Sequence, residues 1–128
     1  MIGLPSLAQL DQSSSMRGAR IWLAAMPADM RCGFDRLAEL ARIVTEQDPM
    51  SGHLFLFRSR GGDRLKVLYW DRDGYALWYK RLEVGVFKFP RVIGETKSVE
   101  LRASELAMLL DGIDLKSVKR VARYAKKK

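Results

Sequence analysis

The chain has few of the residues that most often announce chemistry. Its 128 residues include one cysteine, Cys32, and one histidine, His53. A single cysteine excludes an internal disulfide and fits a reducing compartment such as the cytoplasm. Two such residues are also too few for a structural zinc site. Long hydrophobic runs are missing: the longest, Ile21 to Ala28, contains Pro27 and is too short to span a bilayer. Met1 to Leu10 has no Lys or Arg ahead of its apolar residues, so it does not read as a signal peptide. Gly61-Gly62 lacks the Gly and Lys spacing of a phosphate-cradling loop, and there is no Gly-x-Ser-x-Gly elbow. The expectation is therefore a chain without metal, cofactor or membrane span.

Acidic residues are also scarce, 15 against 23 Lys and Arg, for a net charge of +8. The imbalance is local. Residues 113–128 carry seven cations (Lys116, Lys119, Arg120, Arg123, Lys126, Lys127, Lys128) against Asp114 alone, so +6 of the +8 sits there and +2 remains for the other residues. On a helical projection, the cations at 116, 119, 120, 123, 126 and 127 fall within one arc of about 120°, and Leu115, Val118, Val121, Ala122 and Ala125 fill the other side. The segment reads as a basic amphipathic helix, and such asymmetry points to a polyanionic partner, most often nucleic acid.

The length suits one domain. Residues 1–19 read as an arm, 20–112 as a single α+β domain and 113–128 as the basic tail. Ile21 to Leu23 predicts a strand that Pro27 ends. From Phe34 the period becomes helical: Phe34, Leu37, Ala38, Ala41 and Val44 form one apolar stripe, with Asp29 as a candidate N-cap. Leu54 to Arg58, Arg64 to Trp70, Tyr75 to Leu82 and Val86 to Phe89 read as consecutive strands, followed by a strand at Ser98 to Arg102. A short helix follows at Ala103 to Leu110, capped by Ser104 and ended by Gly112. The expected fold is an antiparallel sheet of four to five strands with the Phe34 helix on one face and a basic C-terminal helix.

Asp73-Gly74 between two aromatic runs predicts a tight hairpin. With those two residues at the turn centre, Lys66 faces Arg81, an unfavourable like-charge pair. One face then carries Lys66, Leu68, Trp70, Tyr75, Leu77, Tyr79 and Arg81; the other carries Leu65, Val67, Tyr69, Ala76, Trp78, Lys80 and Leu82. A longer loop shifts partners but keeps these faces. Both are apolar enough to need cover: the Phe34 helix on one, and a second element, subunit or ligand on the other.

The cations interleaved with rings have two readings. Lys66 and Arg81 with Trp70, Tyr75 and Tyr79 can hold phosphates and stack bases, or the long side chains can lie over apolar surface with Glu83 or Asp63 as counterions. Asp71, Asp73 and Glu83 suggest a metal-dependent nuclease, yet Asp71 and Asp73 serve the turn equally well, and two-metal chemistry needs carboxylates converging from separate elements. Cys32 has no evident base, and His53 reads as a hydrogen-bonding residue at a strand start.

One set of motifs, taken together, is specific: Asp29-Met30-Arg31, Gly33-Phe34, Asp48-Pro49, Ser51-Gly52-His53-Leu54-Phe55, Lys66-Val67-Leu68-Tyr69-Trp70-Asp71, Gly74, Lys80-Arg81-Leu82-Glu83 and Leu109-Leu110-Asp111-Gly112-Ile113-Asp114. Over residues 20 to 115 the chain resembles the second-open-reading-frame (TnpB-type) accessory proteins of insertion sequences of the sixty-six family. The similarly named RNA-guided nucleases belong to a different family. The resemblance implies a small protein of a mobile genetic element, encoded beside a transposase and needed for efficient transposition; it carries over no catalytic residue. Cys32 stands where the family usually has a basic residue.

The expected function is a non-enzymatic cytoplasmic accessory factor binding transposon DNA or the DNA–transposase complex through Arg31, Lys66, Lys80, Arg81 and the tail cations. The alternative is an interaction module for the transposase or a second copy, with Trp70, Tyr75 and Tyr79 as its interface. A nuclease stands third.

Overall fold

The computed structural model describes residues 18–111. Five strands, β1 (Ile21–Ala24), β2 (Leu54–Arg58), β3 (Arg64–Asp71), β4 (Gly74–Arg81) and β5 (Ser98–Leu101), are joined by α1 (Phe34–Thr45) between β1 and β2, and α2 (Ala103–Leu110) follows β5. The strands form one sheet in the order β4-β3-β2-β1-β5. This is the α+β class expected, with one difference: β1 and β2 pair in parallel, so the sheet is mixed. The cause is the helix between them, which carries the chain back along the sheet before β2 begins, as a parallel connection requires.

α1 forms from strong helix formers, with Asp35 in its first turn and Arg42 in its last, each complementing the helix dipole. Its N-cap is Gly33 and not Asp29, and Glu46 closes the C-terminus in the left-handed region. Asp29 closes a small turn of its own, its carboxylate accepting the Arg31 backbone N–H at 2.8 Å. The buried stripe is Leu37, Ala38, Ala41 and Thr45. The two alanines let the helix lie close to the large rings of Phe55 and Phe57 on the sheet, in a cluster completed by Ala24 and Leu68. Phe34, expected in that stripe, is instead 48% exposed.

The opposite face holds the larger core: Ile21, Leu23, Leu54, Leu56, Leu65, Val67 and Tyr69 packed under Leu106 and Leu109 of α2 and under Phe87. α2 and the segment after β4 thus supply the second cover. That segment contains no strand at Val86 to Phe89. Phe87 N donates to Gly62 O at 2.8 Å, which folds the segment onto the β2–β3 loop and buries the Phe87 ring. A ring facing inward from a loop mimics the apolar pattern of a short strand. α2 spans the expected residues, but Arg102 holds the N-cap position and Ser104 lies inside the first turn. Glu105 Oε1 accepts the Arg102 N–H at 2.8 Å. The edge of the sheet is tied by Arg20, whose guanidinium grips Glu100 at 2.9 and 2.7 Å.

The β3–β4 register places Asp71 opposite Gly74, Lys66 opposite Tyr79 and Arg64 opposite Arg81. The turn centre is therefore Arg72-Asp73, one residue earlier than the Asp-Gly pair suggested. Arg72 takes the positive φ, at 60°, and Asp73 N donates to Asp71 O at 2.6 Å across it. The faces are as expected and the partners are shifted: Arg64, not Lys66, shares a cross-strand site with Arg81. The expected basic helix at 113–128, and all of residues 1–17, lie outside the described residues.

Candidate nucleic-acid interface

At the end of the hairpin away from the turn, β3 begins and β4 finishes, and a group of cations gathers around Tyr79. Local chemistry fixes the corner. Ser59 is the hinge: its hydroxyl donates to the Asp63 carboxylate at 3.2 Å and accepts the Arg64 N–H at 3.0 Å, and its backbone N–H donates to Arg64 O at 3.0 Å. Gly62 supplies a φ of 78°, and its carbonyl receives Phe87 N–H. Leu82 N donates to Asp63 O at 2.8 Å, extending the β3–β4 ladder one step past Arg81.

Lys66 lies beneath this corner and is only 7% exposed. Its ammonium donates to the carbonyls of Met30 at 2.6 Å and Cys32 at 2.9 Å, and sits 4.8 Å from the centroid of the Tyr79 ring. A buried ammonium requires such partners. Lys66 therefore fastens the loop before α1 to the sheet, where the sequence suggested a surface cation open to a ligand. Above it, Tyr79 is 43% exposed. Arg64 Nη1 reaches the Tyr79 hydroxyl at 3.5 Å, and Arg81 projects from the position opposite Arg64. Glu83 approaches Arg81 only to 3.7 Å, in a pair whose side chains are both largely exposed; such pairs contribute little and yield readily to another anion.

Arg31 lies in the same neighbourhood, between the two carbonyls that Lys66 holds. It is paired with Asp29 at 2.7 Å. The Arg31 hydrogen bonds hold the Asp29 carboxyl down at about 2, with Lys66 adding a smaller pull. Lys80 points to the other face, where its Nζ is 3.5 Å from Leu110 O at the end of α2, a favourable place for a cation. Trp70 and Tyr75 pair edge to face at 5.0 Å beside the turn, and Trp70 Nε1 donates to Arg72 O at 3.1 Å. Four strand residues, about 13 Å, separate Tyr75 from Tyr79. The three rings are thus two sites, and Tyr75 packs with the α1 cluster.

The carboxylates considered for metal chemistry do not converge. Asp71 and Asp73 lie at the turn, while Glu83 follows the far end of β4. His53 sits just before β2, its Nδ1 accepting the Arg20 backbone N–H at 2.9 Å, and burial lowers its pKa from 6.5, with the Arg20 cation helping. Cys32 is half-buried, with its carbonyl on Lys66. Lys116, Lys119, Arg120, Arg123, Lys126 and Lys127 fall outside the described residues. Arg64 is the residue that sequence reasoning passed over, and the hairpin register was the signal that would have found it.

The sequence model of the IS66 Orf2-like proteins matches residues 19–120. The chain belongs to the IS66 Orf2-like family. It is thus an accessory protein of an insertion sequence, acting in transposition. Two relatives come from Sinorhizobium fredii. The uncharacterized protein y4hO is 40% identical over 100 residues, covering 78% of this chain and 85% of the relative. The uncharacterized protein y4jC is 38% identical over 104 residues, covering 81% and 87%. No solved structure matches. Every residue of the corner around Tyr79 lies within the stretch that defines this IS66 Orf2-like chain.

Proposed function

We propose that this IS66 Orf2-like protein serves transposition by binding nucleic acid, holding it for the transposase without itself breaking or joining strands. The observation that carries the reading is the Arg64–Tyr79–Arg81 corner, where two arginines occupy paired positions across the ladder and, among the described residues, the one carboxylate within 4 Å of either is that of Glu83, 3.7 Å from Arg81. Two like charges at one cross-strand site repel, and a phosphate between them removes that repulsion. The tail cations at 116, 119, 120, 123, 126 and 127 add sequence-independent attraction to the same polyanion. Arg31 belongs to the rim of this corner, whereas Lys80, on the other face beside the end of α2, lies apart from it.

The test is fluorescence anisotropy with a labelled duplex and the full chain. Arg81→Gln weakens binding by a similar factor on unrelated sequences, because phosphate contacts carry no base information. Absence of binding at low salt contradicts the reading.

A second reading, contact with the transposase or with another copy, has its own observation. An apolar cavity of about 480 Å³ opens between α1, the end of β1 and residues 92–97, lined by Ala24, Met26, Leu40, Val44, Phe57 and Val92. This is a different surface from the Trp70–Tyr75 pair. Under this reading Leu40→Ser breaks assembly with the transposase while leaving affinity for DNA intact. Among the described residues no helix is long and apolar enough to cross a membrane.

A further inference from the structure

We infer that the Tyr79 corner takes unpaired nucleotides, so that the protein favours single-stranded DNA over duplex. This rests on the nucleic-acid reading above and narrows its ligand. A duplex hides its base faces and offers phosphates, for which cations suffice. A single strand offers base faces too, and the feature that tells the two apart is a rigid exposed ring beside cations.

Tyr79 is such a ring. Lys66 lies against it, 4.8 Å from the centroid, and is itself fixed by two carbonyls at 2.6 and 2.9 Å. Arg64 steadies the hydroxyl at 3.5 Å. The ring is thus held before any ligand arrives, yet it remains 43% exposed. The aromatic pairs among the described residues are His53–Phe55, Trp70–Tyr75 and Phe87–Phe89, and none includes Tyr79. A stacked base would supply that missing partner, with its flanking phosphates within reach of Arg64 and Arg81. Phe34 is a second exposed ring, 48% accessible, two residues along the chain from the Cys32 carbonyl that Lys66 holds. Trp70, already engaged with Tyr75 and with Arg72 O, has no comparable role.

The experiment compares a labelled oligothymidylate of about twenty nucleotides with a duplex of similar phosphate count, using the full chain and its Tyr79→Leu, Tyr79→Phe and Arg81→Gln variants. The wild type binds the single strand more tightly. Tyr79→Leu loses about five- to a hundredfold on the single strand, the range of one base stacked on one ring, and little on duplex. Tyr79→Phe retains the preference, which shows that the ring is what matters even if the leucine variant folds poorly. Arg81→Gln weakens both probes. Equal affinity for the two probes, or an equal loss on both with Tyr79→Leu, overturns the inference while leaving nucleic-acid binding in place. No binding to either probe removes the underlying reading as well.

Discussion

Arg64 stands directly opposite Arg81 across the β3–β4 ladder, so two like charges occupy paired positions where an ion pair would stabilise the sheet. Removing one charge should relieve the fold and harm the function. Arg81→Gln is expected to leave stability unchanged or raise it by up to about 1 kcal/mol, while affinity for DNA falls. Denaturant midpoints and anisotropy on the same preparation check this. A loss of more than about 1 kcal/mol would make Arg81 a structural residue.

Lys66 should behave in the opposite sense. Its ammonium satisfies the Met30 and Cys32 carbonyls, and Lys66→Met leaves both without their donor. The cost is about 2–4 kcal/mol, the penalty for buried acceptors left unpaired less the gain from burying an uncharged side chain. Urea unfolding measures it. A change below about 0.5 kcal/mol would mean that the loop before α1 is held by other contacts.

Much of this fold is legible locally, and the rest depends on pairing. The ends of β2 at Leu54 and Arg58, the start of α1 at Phe34 and the whole of α2 follow from periodicity and turn residues, because local propensity and tertiary structure agree there. The parallel β1–β2 pair was foreshadowed by a strand, a helix and a strand in succession, yet strand direction is a global property. The hairpin register was missed because Asp73-Gly74 is the more favourable turn dipeptide. Arg72 accepts the positive φ instead, and the gain is that Lys66 lands opposite Tyr79 and under the loop, away from Arg81. The same change of register, which moves each cross-strand partner by two residues, hid Arg64. The identity of the charged face was readable; which cations lie open on it was not, since burial of Lys66 depends on carbonyls more than thirty residues away.

Gly62 holds the corner through a φ of 78°. A Cβ there would meet Val86 Cβ at 3.5 Å, ordinary contact, so backbone conformation sets the cost. Gly62→Ala should destabilise by about 1–2 kcal/mol, and Gly62→Asn by less, because asparagine tolerates this region better. Thermal melts of the two variants distinguish this from a packing defect, which would penalise the larger asparagine more.

His53 gives the fold a dependence on pH. Its Nδ1 can accept the Arg20 N–H only when unprotonated. Burial, then the Arg20 cation, lower its pKa below 6.5, against a smaller opposing pull from Glu100. A lowered histidine pKa means the neutral form is favoured in the folded state. Its contribution is therefore complete above about pH 6.5 and is lost as pH falls through the folded value. Denaturation midpoints should decline across that window in the wild type and stay flatter in His53→Gln, which keeps an acceptor without titrating.

If cations on this chain engage phosphates, binding must depend on salt. The most direct measurement is the affinity of the full chain for a labelled oligonucleotide across a salt series, beside a variant with the cations at 116, 119, 120, 123, 126 and 127 changed to glutamine. The expected result is a steep linear fall of log affinity with log salt, and a shallower slope in the variant, reduced roughly in proportion to the number of phosphates it no longer neutralises. Affinity that ignores salt would contradict the claim, and an unchanged slope in the variant would remove the tail from it and leave the corner alone to carry the phosphates.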